Sequence, residues 1–241
     1  MTTASIGLPD PEQLAQTLID VTKAITQGSE TIEVFSALAE RCVTLIPVSA
    51  AGILLRDLRG SLQVVGSSSR SAHVLDLFQL QNEEGPCLEC CETGMPVLDD
   101  ELSASGPWPR FSELTRSHGF TAVYALPLRS RGVTVGALNL FAEESLDTRR
   151  VDVGQALADA ATLSLMQVDP TLDYQLVVRS IHVVIESRNT VDQAQGMIAQ
   201  RYSISVEDAL VRLREAANQT GLTLVQTATA VVERNPTFTV L

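Results

Sequence analysis

The chain has 241 residues, a net charge of −12, and a composition of 45% hydrophobic and 19% charged residues. This balance excludes a wholly disordered chain, and no uncharged apolar run is long enough to span a membrane. The N-terminal sequence lacks a basic segment followed by an apolar one, so no secretory signal is expected and a cytoplasmic protein is predicted. The acidic character disfavours a protein that wraps around nucleic acid, because phosphate contacts supply much of that affinity. A small local nucleic-acid-binding site is not excluded.

The N-terminal segment, residues 1–28, is predicted to be helical and to take part in dimerisation. Aliphatic residues recur at helical spacing between Asp10 and Gly28. A second helix is predicted over Thr31–Leu45, because the spacing continues there and Pro47 lies just beyond the last turn.

The middle of the chain is predicted to form strands with helices between them. Strand pairs are expected on both sides of Gly60 and of Gly132, because each glycine separates two apolar segments. A helix is predicted over residues 71–81. Residues 82–110 are rich in turn formers and are predicted to be mostly loop, apart from a short strand at Pro96–Asp99.

A second domain is predicted at residues 172–236. Helical spacing returns over Asp147–Met166, and the domain boundary is placed at residues 167–170, where Pro170 disfavours helix at the residue before it. A long helix is expected over about residues 172–201, and a heptad seam in its first half predicts a coiled-coil stalk. The seam residues are Val177, Ile181 and Val184.

Two shorter helices are predicted after the long one. Ser205 is a favourable N-cap for the first, Gly221 a favourable end, and Thr223 precedes the second. With the lower half of the long helix they form a minimal three-helix bundle, which needs the stalk or a partner chain for stability. The predicted fold class of the whole chain is α+β.

The bundle sequence contains a distinctive order of small, polar and basic residues. Its residues in order are Ser187-Arg188, Gln193-Ala194-Gln195-Gly196-Met197-Ile198, Arg201, Ser205, Glu207-Asp208-Ala209 and Leu213-Arg214. This order resembles the ANTAR domain, the RNA-binding output module of bacterial transcription antiterminators. The family usually has Lys at the position of Gln195. The resemblance implies that the partner is RNA, bound at loop nucleotides of a structured leader transcript.

Residues 29–167 contain the stretches GPCLECCETGMPVLDD, WPRF and GALNLF. With these stretches the segment resembles a GAF domain, a small-molecule sensor with a six-stranded antiparallel sheet between helices. The resemblance implies a small-molecule or redox signal, a ligand whose identity is not fixed, and a homodimer. Cys87 and Trp108 are the candidate ligand-binding residues of this sensor.

The candidate RNA-binding residues are polar or small residues of the bundle: Arg188, Gln193, Gln195, Gly196, Arg201 and Arg212. Arginine suits contact with phosphates and stacking on bases, and glutamine can bond the base edges that loops expose. The alternative interpretation is that these arginines lie on a solvated helix face, form ion pairs there and have no binding role. Gly196 indicates either close helix packing or close approach of RNA. Tyr202 is expected to cap the core or to stack on a base.

Three nearby cysteines raise the question of metal or redox chemistry. A zinc site needs four ligands, usually as two pairs, and Cys87, Cys90 and Cys91 have no matching second pair, so no metal is predicted. No cofactor is predicted either. Redox sensing by a thiol stays open beside the interpretation that Cys87 lines the sensor core. No catalytic residue is assigned, since Ser67 to Ser69 lack a histidine partner at a recognisable spacing.

Three other functions remain as alternatives. GAF domains include free methionine-R-sulfoxide reductases, which suggests a thiol-dependent enzyme that uses Cys87 with Cys90 or Cys91. A DNA-binding helix-turn-helix would need a polar recognition helix, and the few polar side chains after Thr223 argue against a DNA partner. The third alternative is a dimerisation or partner-binding module without RNA binding, which Gln195 favours.

Overall fold

The computed structural model describes most of the chain. The described ranges are residues 11–26, 31–57, 59–130, 132–165 and 174–234. The predicted boundary at residues 167–170 lies outside them. The chain divides into two compact units, Met1–Ile181 and His182–Leu241.

The first unit contains a mixed set of helices and strands. Its helices are α1 (Pro11–Thr26), α2 (Thr31–Leu45), α3 (Arg70–Asn82), α4 (Pro86–Thr93), α5 (Pro109–Ser117) and α6 (Thr148–Leu165). Its strands are β1 (Ala50–Arg56), β2 (Leu62–Ser67), β3 (Val97–Asp99), β4 (Ala122–Ser130) and β5 (Val133–Ala142). The strand pairs predicted around Gly60 and Gly132 and the predicted α+β class are confirmed.

The strands form one antiparallel sheet in the order β2-β1-β5-β4-β3. The resemblance implied six strands, and the described residues form five. Helices α2 and α6 pack on one face of this sheet. The α6 residue Gly154 lies so close to Leu126 and Leu140 that an added Cβ would be within 2.8 Å and 2.9 Å of their side chains. The glycine therefore allows α6 to approach the sheet.

Helices α3 and α4 cover the opposite face of the sheet. Side chains alternate between the faces of a strand, so Val123 and Phe141 point away from the face that carries Leu126 and Leu140. Val123 and Phe141 pack with Ala72 of α3 in one apolar cluster. The sheet is thus enclosed by helices on both faces, as predicted.

Helix α4 corrects the prediction that residues 82–110 are mostly loop. Pro86 occupies the first position of the helix, where its fixed φ is favourable and its missing N–H is no loss. Gly94 ends the helix with φ of 69°, a left-handed conformation that favours glycine. A helix of eight residues is too short for a clear periodic pattern, although both boundary residues are visible in the sequence.

The second unit is built from three helices, as predicted. They are α7 (Tyr174–Tyr202), which begins in the first unit, α8 (Val206–Thr220) and α9 (Leu224–Val232). The Ser205 hydroxyl caps α8 by accepting a 3.0 Å hydrogen bond from the Asp208 amide. At α9 the Thr223 hydroxyl accepts from the Gln226 amide at 3.2 Å, and the Gln226 side chain accepts from the Thr223 amide at 3.0 Å. These caps satisfy amides that the helices leave unpaired.

The interior of the second unit consists mainly of small and aliphatic side chains, and the polar Gln195 is buried among them. The buried residues are Val184, Ile185, Val191, Ala194, Gln195, Ile198, Ala209, Leu213, Ala216, Ala217, Leu224, Thr227 and Ala228. Two residues of the predicted coiled-coil seam, Ile181 and Val184, are also buried within the single chain, so they are not free to face a partner helix. No helix in the described ranges is long and apolar enough to cross a membrane.

Candidate functional site

The predicted RNA-binding residues of α7 do not share one face. Gln193 and Gly196 are exposed, whereas Gln195 is buried, with 5% of its surface accessible. Successive helical residues are rotated by about 100°, which places Gln195 on the buried side with Ala194 and Ile198. The structure therefore brings only Gln193 and Gly196 together on the outer side of α7.

Arg188 is tied to its own helix rather than free at the surface. Its Nε lies 3.0 Å and 3.1 Å from the two carboxylate oxygens of Asp192, one turn further along, and its side chain is only 17% exposed. Arg188 and Arg201, both predicted to bind RNA, do not lie on one side of α7. Thirteen positions correspond to about 3.6 turns, so the two arginines point in directions about 140° apart.

Gly196 is open to its surroundings. A Cβ added at this residue would have no neighbouring atom within 4 Å. Close packing against another helix, one of the two explanations of this glycine, is therefore wrong. The backbone of α7 is accessible at Gly196, which leaves the approach of a ligand as the remaining explanation from the sequence.

Arg201 and Arg212 lie on either side of the α7–α8 turn and meet at Tyr202. The guanidinium carbon of Arg201 is 5.4 Å from the centre of the Tyr202 ring, and that of Arg212 is 4.5 Å from it. Both distances are within the range of a cation–π interaction. Both arginines are exposed, and neither forms an ion pair with a carboxylate in the described part of the chain. We call Arg201, Tyr202 and Arg212 the arginine–tyrosine cluster.

The tight turn after α7 holds this cluster together. Ser203 adopts a left-handed conformation with φ of 53°, and the Ile204 amide donates a 3.1 Å hydrogen bond to the Ala199 carbonyl. Ser205 then caps α8. The chain needs only three residues between the helices, so Tyr202 at the end of α7 meets a side chain from the second turn of α8.

The two predicted ligand-binding residues of the sensor lie in neighbouring apolar clusters on the α3/α4 side of the sheet. Cys87 packs with Leu54 and Ala137. Trp108 packs with Ala50 and Phe111. Both are buried, so Trp108 serves as part of the core in this structure, and no exposed surface of Cys87 is available to a ligand.

A buried polar group adjoins these two clusters. It consists of Asp76 and Gln79 from α3 and Asn139 from β5, and all three side chains are fully buried. Asn139 donates a 2.7 Å hydrogen bond from Nδ2 to Oδ1 of Asp76, and the Gln79 Oε1 accepts a 2.9 Å bond from the Cys87 amide. Oδ2 of Asp76 and Oδ1 of Asn139 have no hydrogen-bond partner among the described residues.

Burial raises the pKa of Asp76 to about 8, and the hydrogen bond from Asn139 lowers it less than burial raises it. Desolvation disfavours the charged form of a carboxyl group, and no cation in the described ranges is paired with this one. The carboxyl group also lies directly over Gly52 of β1, where a Cβ would clash with it. Asp76 is therefore a neutral acid at neutral pH in a closely fitted position.

The thiols of α4 are poorly suited to nucleophilic chemistry. Burial raises the pKa of Cys87 well above its ordinary value, that of Cys90 to about 12 and that of Cys91 to about 11. The thiolate is the reactive form, so burial disfavours reaction of these thiols in the folded state. Within the described ranges, no group of three or more His, Cys, Asp or Glu residues is arranged to hold a metal ion.

Asp76, Gln79 and Asn139 were not predicted from the sequence. A signal was present, because Asp76 and Gln79 share helical spacing with the apolar Ala72 and Leu75 and so fall on the inward face of α3. Asn139 likewise interrupts the apolar run from Val135 to Ala142. Polar residues at inward positions of a regular pattern are the sequence feature that points to such a group.

Two protein families match the chain. The GAF domain model matches residues 29–166, and the ANTAR domain model matches residues 181–232. No curated protein is significantly similar to the chain.

Solved GAF domains share the fold of the first unit. The GAF domain of a phosphoenolpyruvate-protein phosphotransferase from Coxiella burnetii is 14% identical over 64% of this chain and 94% of that chain, with a TM-score of 0.51. The nlh2 GAF domain of A. aeolicus, in an inactive state, is 14% identical over 66% of this chain and 98% of that chain, with a TM-score of 0.50.

A free methionine-R-sulfoxide reductase from Neisseria meningitidis, solved with its substrate, is 15% identical over 64% of this chain and 90% of that chain, with a TM-score of 0.49. Identities this low show a shared fold alone.

The GAF model covers more than half of the chain, and the ANTAR model follows it in sequence. The chain therefore belongs to the GAF domain family and joins a GAF sensor domain to a C-terminal ANTAR regulator domain.

Proposed function

We propose that the chain is a signal-responsive, RNA-binding regulator of transcription antitermination. The observation that supports this function best is the arginine–tyrosine cluster of the ANTAR domain. It presents two exposed guanidinium groups that pair with no carboxylate among the described residues, in a chain whose net charge is −12. Exposed, unpaired arginines on an acidic protein form a small local site for an anionic partner.

The proposed RNA partner is a hairpin loop rather than a duplex. The exposed positions on the outer side of α7 are Gln193 and Gly196, which offer an amide side chain and an accessible backbone. Such groups suit the unstacked bases of a loop, whose edges are free to form hydrogen bonds. Binding would stabilise a hairpin that competes with a terminator, so that polymerase continues through it.

Crosslinking and sequencing of bound RNA in cells tests this function. We expect enrichment of hairpins in leader transcripts, and we expect the purified chain to bind these hairpins more tightly than DNA hairpins of the same sequence. A terminator placed behind the leader in a reporter gene should then be read through when the chain is expressed. Equal binding of RNA and DNA would contradict a specific RNA partner, and no enrichment of structured loops would favour a module that binds a partner other than RNA.

We assign the signal to a small molecule rather than to thiol oxidation. The raised pKa values of Cys87, Cys90 and Cys91 disfavour the thiolate that oxidation requires. The free polar atoms of Asp76 and Asn139 provide hydrogen-bonding groups inside the GAF domain. A metabolite panel screened by thermal shift should yield a compound whose stabilisation is lost in Asp76→Ala and which changes RNA affinity. Peroxide that changes RNA affinity in the absence of any such compound would reverse this assignment.

We further propose that the chain forms a homodimer in the cytoplasm, where transcripts are made. Helices α1 and α6 contact each other and expose two large apolar side chains, Ile19 at 46% and Leu163 at 63%. A second copy would cover these residues and hold two ANTAR domains together, which raises avidity for paired RNA loops. The double variant Ile19→Glu/Leu163→Glu should sediment as a monomer. A wild-type chain that is already monomeric would exclude the dimer.

A further inference from the structure

We propose that Tyr202 is a positioning residue that holds Arg201 and Arg212 as a two-point clamp for the phosphates of an RNA loop. This inference rests on the proposed RNA binding. It places the strongest electrostatic contact with the RNA at the arginine–tyrosine cluster. The ring of Tyr202 lies within 5.4 Å of one guanidinium carbon and 4.5 Å of the other. These distances add to 9.9 Å, so the two cations are no further apart than that.

The geometry separates this cluster from the other arginine of α7 that was predicted to bind RNA. The charge of Arg188 is neutralised by Asp192, and its side chain is mostly buried. Contact with a phosphate would require this ion pair to break. Arg201 and Arg212 require no such exchange, because their contacts in the structure are to an uncharged aromatic ring.

The acidic residue best placed to neutralise Arg212 is engaged elsewhere. Asp208 lies four positions before Arg212 on α8, a spacing at which opposite charges commonly pair. Its Oδ2 instead accepts a 2.8 Å hydrogen bond from the Ser205 hydroxyl, and its amide donates to the same hydroxyl at 3.0 Å. The cap at the start of α8 therefore leaves the guanidinium of Arg212 available for an anion.

The aromatic ring lowers the entropic cost of binding. A free arginine side chain samples many rotamers, and immobilising such a side chain costs about 0.5–1.5 kcal/mol. Stacking on Tyr202 restricts both arginines before RNA arrives and leaves their N–H groups free to donate to phosphate oxygens. Tyr202 thus acts through the arginines, and its own ring is occupied by them rather than by a base.

The test compares variants of the full chain in titrations with a selected RNA hairpin at several salt concentrations. Tyr202→Leu leaves every charge in place, yet we expect roughly ten-fold weaker binding because both arginines lose their ring. Tyr202→Phe keeps the ring and should restore wild-type affinity. The double variant Arg201→Ala/Arg212→Ala should bind still more weakly, with a salt slope reduced by about 1.4 for two lost single-strand phosphate contacts.

Two controls make the outcome decisive. Arg214→Ala removes an exposed arginine of α8 that does not contact the ring, and it should change affinity less than either variant of the cluster. Helix content and melting temperature of each variant identify any that fail to fold, in which case Tyr202→His, a smaller aromatic change, replaces Tyr202→Leu. Sulfate added as a competitor distinguishes a general anion site from one that needs linked phosphates.

The outcomes separate this inference from the proposed function. A wild-type chain that binds no RNA would overturn both. A wild-type chain that binds RNA with unchanged affinity and salt slope in Tyr202→Leu would overturn the clamp alone. If Tyr202→Phe bound as weakly as Tyr202→Leu, the hydroxyl rather than the ring would be the important group, and the clamp would again be wrong.

Discussion

The two units of the molecule place their polar side chains in opposite ways. The GAF domain encloses Asp76, Gln79 and Asn139 in its core, and one carboxyl oxygen there has no hydrogen-bond partner among the residues that the structure describes. The ANTAR domain has an interior mainly of small and aliphatic residues and keeps Arg201 and Arg212 at the surface. A buried polar group without a full set of hydrogen bonds lowers stability, whereas an exposed arginine costs little.

This contrast indicates where each domain can respond to its surroundings. A buried acid changes the energy of its domain whenever its proton or its partners change, so the GAF domain is sensitive to small chemical changes in its core. The surface of the ANTAR domain can bind and release a charged partner without repacking its interior. Four variants test this comparison.

The largest expected effect concerns the protonation of Asp76. An acid whose folded-state pKa is raised from 3.8 to about 8 holds its proton more tightly when folded, so stability falls as pH rises from about 4 to about 8. Over this pH interval the free energy of unfolding should decrease by a total on the order of 5 kcal/mol. Urea unfolding of Asp76→Asn should show a much weaker decline over this interval and greater stability at pH 8.

The control for this experiment is the exposed carboxylate of Asp152 on α6. Asp152→Asn removes an exposed carboxylate from the helix on the other face of the sheet, and we expect this variant to keep the wild-type dependence on pH. An unchanged pH profile in Asp76→Asn would mean that the buried carboxyl group does not govern the stability of the GAF domain.

A smaller effect is expected from filling the space over Gly52. Gly52→Ala places a methyl group against the Asp76 carboxyl group and should destabilise the domain by about 1–3 kcal/mol. The double variant Gly52→Ala/Asp76→Ala should lose less stability than the sum of the single variants, because removal of the carboxyl group creates room. Strict additivity in denaturant titrations would contradict this contact.

The cap of α8 should contribute about 1 kcal/mol to the ANTAR domain. Ser205→Ala removes the acceptor for the Asp208 amide and should speed hydrogen exchange in peptides from α8. Ser205→Asp retains an acceptor and should restore protection. Exchange that is equally fast in Ser205→Asp would show that the serine acts through something other than the cap.

The smallest expected change in stability has the opposite sign. Gly196→Ala should stabilise α7 by up to about 1 kcal/mol, because alanine favours helix and its methyl group meets no neighbour. Slower hydrogen exchange in α7 peptides would report this gain. If RNA approaches the backbone at Gly196, the same variant should bind RNA less tightly. Tighter binding in Gly196→Ala would remove this position from the proposed interface.

The sequence predicted helices and strands well and the orientation of side chains less well. Periodic aliphatic residues predict α2, α6 and α8, because the burial of one apolar face stabilises each of these helices. Helix α4 has no such pattern, and only Pro86 and Gly94 mark its ends. Short helices between glycines and prolines are therefore easily read as loops.

The candidate sites show the same limit. The family motif identified the stretch around Arg188 and Gln195, but it did not indicate that both turn toward the protein rather than away from it. The contact between Tyr202 and Arg212 joins two helices and depends on the turn at Ser203, which single-helix spacing does not describe. Asp76 was overlooked because an acidic residue is ordinarily assigned to the surface.

The buried cysteines of this chain can report the opening of the GAF core. All four, Cys42, Cys87, Cys90 and Cys91, are buried and belong to the GAF domain, and the ANTAR domain has none. A maleimide therefore labels the protein only when the GAF core opens, and mass spectrometry measures how many thiols have been labelled. A compound that occupies the sensor should slow this labelling, so the native thiols can identify the signal without any added probe.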